Sequence, residues 1–106
     1  MSDTLTRLEA TIASRKGADP ASSYVASLFA KGRPKIARKF GEEAVEAIVA
    51  SLAEDKAALT GEAADTIFHL MVLLADADVT LADVLAELDR REGTSGHDEK
   101  AARPAQ

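Results

Sequence analysis

The stretch Lys39-Phe40-Gly41-Glu42-Glu43-Ala44-Val45-Glu46, answered sixteen residues after Glu46 by Glu62-Ala63-Ala64-Asp65, decides how this chain reads. Within each half the carboxylates stand three or four residues apart, the spacing that places side chains on one face of a helix. Two such helices side by side would aim at least four carboxylates at one volume of space. In poorly hydrated surroundings that concentration of charge needs a cation. An all-oxygen donor set suits a hard ion, so the expected occupant is Mg²⁺, with Mn²⁺ as a substitute. Mg²⁺ typically shares its shell with phosphate oxygens, which points to a phosphoanhydride as the thing acted upon.

The surroundings of this pattern support a helical reading. A chain of 106 residues is one domain by size, and a core this small often gains from dimerisation. Only four aromatics are present, and the apolar content is mostly Ala, Leu, Val and Ile, which favours helix packing over a β-sandwich. The absence of cysteine excludes disulfides and thiolate zinc, and fits a reducing cytoplasm. Met1-Ser2-Asp3-Thr4 shows neither the basic nor the apolar region of a secretion signal, and the apolar run Ile67 to Ala75 is too short to span a bilayer. No membrane association is expected. A net charge of -5 argues against nucleic-acid binding but leaves a small phosphate-bearing substrate open, because the charges are unevenly placed.

Taken in order, the chain predicts five helices and no strand. Ser2, Asp3 or Thr4 can cap a first helix running to about Lys16, ended by Gly17 and Pro20. Asp19 to Ser23 offers caps for a short second helix through Tyr24, Leu28 and Phe29, with Gly32 suited to a left-handed C′ position. Pro34 fits the first turn of a third helix reaching about Glu54. Gly41 inside it suggests close approach of another backbone or a ligand. Its carboxylates form a narrow seam beside a wide apolar arc made by Ile36, Phe40, Ala44, Val45, Ile48 and Leu52.

A fourth helix, about Lys56 to Ala77, is apolar almost all round, as expected of one buried on most sides. Glu62, Asp65, His69 and Asp76 fall on it in one stripe roughly 60° wide. Thr80 with Asp83 resembles a capping pair for a fifth helix to about Arg91. The boundaries drawn are a folded domain over 1–92 and a disordered tail over 93–106.

Each constellation has a plainer alternative. Glu42, Glu43 and Glu46 could form a solvated face paired with Arg38 and Lys39. The fourth helix, with little wet surface to offer, makes that reading weaker for Glu62 and Asp65. His69, four residues after Asp65, could orient a ligand carboxylate from behind, or simply satisfy a helix interface. Lys31, Arg33, Lys35, Arg38 and Lys39 put five cations within nine residues at a helix N-terminus, a seat for phosphates or a device for solubility. Tyr24 and Phe29 read as core.

Ser23-Tyr24, the run Leu28 to Gly32, the run Ile36 to Glu46, and Glu62-Ala63-Ala64-Asp65 with His69-Leu70 together resemble the phosphoribosyl-ATP pyrophosphatase family of the MazG-like all-α nucleotide pyrophosphohydrolases, over roughly residues 5 to 91. The resemblance implies a helical homodimer with interlocked cores. It implies Mg²⁺ held by Glu43, Glu46, Glu62 and Asp65, with Glu42 adjacent. It further implies hydrolysis of phosphoribosyl-ATP to phosphoribosyl-AMP and pyrophosphate, the second step of histidine biosynthesis. On that basis Glu42 or Glu46 positions the attacking water, while Lys31, Arg33 and Lys39 counter the phosphate charge. Val25 and Phe68 stand where this family leads one to expect Thr and Tyr. The alternatives are a (d)NTP pyrophosphohydrolase of the same fold, or a non-catalytic helical dimerisation module whose acidic stripe pairs with a partner.

Overall fold

The computed structural model describes residues 3–93, which form five α-helices and no strand. The expected tail lies outside the described residues apart from Gly93, as do His97 and the capping candidate Ser2. The first helix, α1, spans Asp3–Ser14, two residues short of the expected end. Its chain leaves through turn bonds such as Arg15 N to Ile12 O and a positive φ at Gly17.

The second helix, α2, spans Tyr24–Lys31. Ser23 caps it, its hydroxyl accepting from Ala26 N–H at 3.0 Å. The third, α3, spans Arg33–Ala53, with Pro34 in its first turn. Gly32 does double duty as C-cap of α2 and N-cap of α3. Its φ of 94° is positive as expected, but its ψ of 167° is extended instead of left-handed helical. One residue must swing the chain from one helix straight into the next, and it does so in a positive-φ, extended-ψ region that is open essentially to glycine alone.

Residues 54 and 55 then reverse the chain into α4, Lys56–Asp76, where the Asp55 carboxylate accepts from Ala58 N–H at 2.9 Å. The fifth, α5, spans Leu81–Arg91 and starts at a full capping box: Thr80 Oγ1 accepts from Asp83 N–H, and Asp83 accepts from Thr80 N–H, both at 3.0 Å. At its far end Arg90 and Arg91 clasp Glu87 and hold its carboxyl down at about 2.

The helical hairpin α3–α4 is the largest contact of the fold, and α1 and α2 pack across it. Ile12, Leu28, Ile36, Met71 and Val72 form the centre, with Leu8, Val25, Phe29 and Phe68 around them. α4 has the length and apolar content to cross a bilayer. It nonetheless carries Glu62 and Asp65 along its length and sends Met71 and Val72 into the core, as a core helix does.

Two expectations about burial need correcting within this chain. The apolar arc of α3 is covered along one flank, at Ile36, and open along the other: Val45 is 58% exposed, Ile48 58% and Leu52 83%. Ile67 of α4 is 45% exposed, so α4 is buried on one side and not on most. Gly41 lies on the same arc of α3, and a Cβ placed there would meet nothing within 4 Å. The close neighbour its sequence position suggested is not found among the described residues. Periodicity reports that a face is apolar, and says nothing of which molecule covers it.

Candidate metal and phosphate site

The α3–α4 hairpin brings the two acidic halves together. Glu43, Glu62 and Asp65 each present an oxygen such that all lie within 4.8 Å of one another. Glu43 is buried, Glu62 half-buried and Asp65 exposed, so the cluster opens from the hairpin's interior toward solvent. Glu46, one turn beyond Glu43, stands beside Glu62 without joining that mutual group of three.

The electrostatics of Glu62 test whether a cation fits. Its Oε1 is buried and has no hydrogen-bond partner among the described residues. Burial raises the Glu62 pKa, and the charges of Glu46, Asp65 and Glu43 and a hydrogen bond with Glu46 push it further in the same direction. An unsatisfied buried oxygen among like charges is costly, and a hard cation accepting carboxylate oxygens relieves both penalties. The donor set fits a divalent ion of the Mg²⁺ type.

A second feature adjoins the cluster. Tyr24, Lys31, Lys35, Arg38, Lys39 and Glu42 line a hollow of about 220 Å³ at the start of α3. Lys39 joins hollow to cluster: its Nζ lies 3.3 Å from Glu43 Oε2 and 3.9 Å from Glu42 Oε1. The hydrogen bond to Glu43, first among several causes, raises the Lys39 pKa. Arg38 Nε lies 3.5 Å from Glu42 Oε2. Glu42 therefore sits among the cations and outside the group of three acidic oxygens.

Arg33 goes elsewhere. Its guanidinium donates to the Asp76 carboxylate at 2.5 Å and to the Asp76 carbonyl at 3.1 Å, fastening α3 to the end of α4. That pair answers the acidic end of the α4 stripe, and Arg33 is not among the residues that line the hollow. Lys35 and Arg38, which stand outside the expected phosphate-binding set of Lys31, Arg33 and Lys39, do line it. At 100° per residue Lys35, Arg38 and Lys39 share one side of α3 and Arg33 faces the opposite side, so the helical phase carried this distinction.

His69 is buried, its ring edge-on to Phe68, and its nitrogens reach α4's own backbone and α2. Its Nδ1 lies 2.8 Å from the Asp65 carbonyl, and its Nε2 lies 3.1 Å from the Tyr24 hydroxyl. A carbonyl only accepts, so Nδ1 carries the proton and, in the neutral ring, the Tyr24 hydroxyl donates to Nε2. His69 thus touches the backbone of Asp65 and not its carboxylate. Tyr24, expected in the core, is instead half exposed at the hollow, stacked at 6.3 Å on Phe68.

With this geometry in hand, comparison with known proteins is specific. A family model described as phosphoribosyl-ATP pyrophosphohydrolase matches residues 5–92. A phosphoribosyl-ATP pyrophosphatase of Rhizorhabdus wittichii is 69% identical over 104 residues, spanning 98% of this chain and 98% of the relative. One of Dinoroseobacter shibae is 66% identical over 99 residues, spanning 93% of this chain and 97% of the relative. One of Rhodobacter capsulatus is 65% identical over the same length.

Proposed function

Since this chain belongs to the phosphoribosyl-ATP pyrophosphohydrolase family, we propose that it hydrolyses the α-β anhydride of phosphoribosyl-ATP, giving phosphoribosyl-AMP and pyrophosphate in the cytoplasmic synthesis of histidine. The observation that carries the site reading is the buried, unpartnered Oε1 of Glu62 facing a cluster of like charges. Glu43, Glu62 and Asp65, with Glu46 alongside, would hold Mg²⁺, or Mn²⁺ in its place. The ion would supply charge neutralisation for the triphosphate and a hold on its oxygens.

The chain's own groups do the rest. Lys31 and Lys39, joined by Lys35 and Arg38, present cations to the phosphates from one hollow. Arg33 is engaged by Asp76 and serves the α3–α4 junction. The attacking oxygen comes from water, whose proton passes to a carboxylate as the P–O bond to the departing pyrophosphate breaks. Glu42 and Glu46 are the two candidates to position that water. Glu46 stands beside the clustered Glu62, while Glu42 faces Arg38 and Lys39, which favours Glu46.

We also read the open arc of α3 as the face of a homodimer. Val45, Ile48, Val49 and Leu52 expose a continuous apolar strip beside Gly41, where a second backbone has room to approach. Arg38, Gly41, Glu42, Val45 and Glu46 line one open hollow, so a copy seated on the strip would also wall the acidic site.

The test is release of pyrophosphate from purified protein given phosphoribosyl-ATP or a panel of (d)NTPs, with Mg²⁺ or with chelator. Preferred turnover of phosphoribosyl-ATP with the metal is expected. Equal or faster turnover of (d)NTPs would favour the general nucleotide pyrophosphohydrolase, and no turnover of any substrate would favour the dimerisation module.

A further inference from the structure

Thr66 occupies a place in the hairpin that the reaction chemistry alone does not call for. Its Oγ1 lies 2.8 Å from the Glu62 carbonyl, one turn back on α4, and 3.1 Å from the Glu43 carbonyl across on α3. The first contact is one that any helical threonine can make. The second crosses between helices and reaches the backbone of the buried acidic residue. One proton shared between these two acceptors ties together the main-chain roots of two clustered carboxylates, and Thr66 directly follows the third, Asp65.

We propose that Thr66 is a positioning residue, its hydroxyl setting the spacing between α3 and α4 at which Glu43, Glu62 and Asp65 converge on a divalent cation. The inference rests on the reading of that cluster as a metal site. Its physical basis is tolerance. Mg²⁺ and Mn²⁺ sites take ligands at nearly fixed distances, and a site loosened by a fraction of an ångström loses affinity. Glu43 and Glu62 are borne by different helices, so their separation follows the helix spacing directly. Replacing the hydroxyl with a methyl would set an apolar group against two carbonyl oxygens and part the helices at the point where the ligands must meet.

Mn²⁺ titration followed by electron paramagnetic resonance reads the site without turnover. Thr66→Val keeps the shape and removes the hydroxyl, and Thr66→Ser keeps the hydroxyl. Thr66→Val should weaken Mn²⁺ binding about ten-fold, the usual effect of losing a group that supports metal ligands, while Thr66→Ser stays close to the parent. Parent-like Mn²⁺ affinity in Thr66→Val, even with a lowered melting temperature, would reduce Thr66 to helix glue and overturn the proposal. Equal weakening in Thr66→Ser would overturn it too, by assigning the effect to the methyl. Should circular dichroism show Thr66→Val unfolded, Thr66→Ala against Thr66→Ser carries the same comparison. Parent protein that binds no more Mn²⁺ than Glu62→Gln would overturn the metal site itself, an outcome distinct from failure of Thr66 alone.

Discussion

The ammonium of Lys39 stands 3.3 Å from Oε2 of Glu43, so a single cation both neutralises the buried acid of the cluster and lines the neighbouring hollow. Lys39→Met should therefore act twice. The metal-free protein should lose about 1 kcal/mol, the order expected for a pair whose lysine remains partly solvated. The loss should shrink in saturating Mg²⁺, because the ion takes over neutralisation of Glu43. Urea melts with and without Mg²⁺ measure both. A deficit of the same size under the two conditions would mean that Glu43 contributes nothing to ion binding.

Glu62→Gln removes one of four neighbouring negative charges while preserving shape. The metal-free variant should melt at higher temperature than the parent, and turnover of phosphoribosyl-ATP should fall about 100-fold or more. The pH dependence has a definite sign. The folded-state pKa of Glu62 is raised, so the folded form holds a proton that the unfolded chain releases near 4.5. Stability of the metal-free parent should therefore decline as pH rises from about 4.5 through the folded value, and Glu62→Gln should flatten that decline. Thermal melts across this range would check it; a parent stabilised by rising pH there would contradict the assigned shift.

The exposed strip on α3 predicts association. Ile48 lies in its middle, flanked by Val45, Val49 and Leu52. Ile48→Glu should place a charge where the second copy packs and shift the protein from dimer to monomer, read by sedimentation equilibrium. Turnover should fall with it if the partner walls the acidic site. A parent that sediments as a monomer at micromolar concentration would refute the proposed interface.

The bond between the Tyr24 hydroxyl and His69 Nε2 ties α2 to α4 at 3.1 Å. Tyr24→Phe keeps the ring on Phe68 and leaves the buried imidazole without its donor. A loss of about 1 kcal/mol follows, measurable by urea denaturation. Stability equal to the parent's would mean that water takes the place of the phenol.

The extent of sequence legibility differs between the scaffold and the site. Helical periods, a cap within Asp19 to Ser23, the Thr80–Asp83 box and the break at Gly32 are local properties, set by residues within a turn or two of one another. The spacing of Glu43 with Glu46, and of Glu62 with Asp65, is local as well. That is why an acidic meeting point between two helices could be expected before any fold was known.

What remained for the tertiary structure was the choice of partners far apart in the chain. Arg33 and Asp76 are 43 residues apart and Tyr24 and His69 are 45 apart, and nothing in local sequence says that they meet. The reach of Thr66 to the Glu43 carbonyl likewise depends on how α4 is rotated against α3. The sequence alone determined which faces are acidic, cationic or apolar, because side-chain direction follows helical phase. Only packing decided which acid Arg33 meets, which carboxylate oxygen is stranded, and which apolar strip is left uncovered, because those outcomes depend on the distance and rotation between helices.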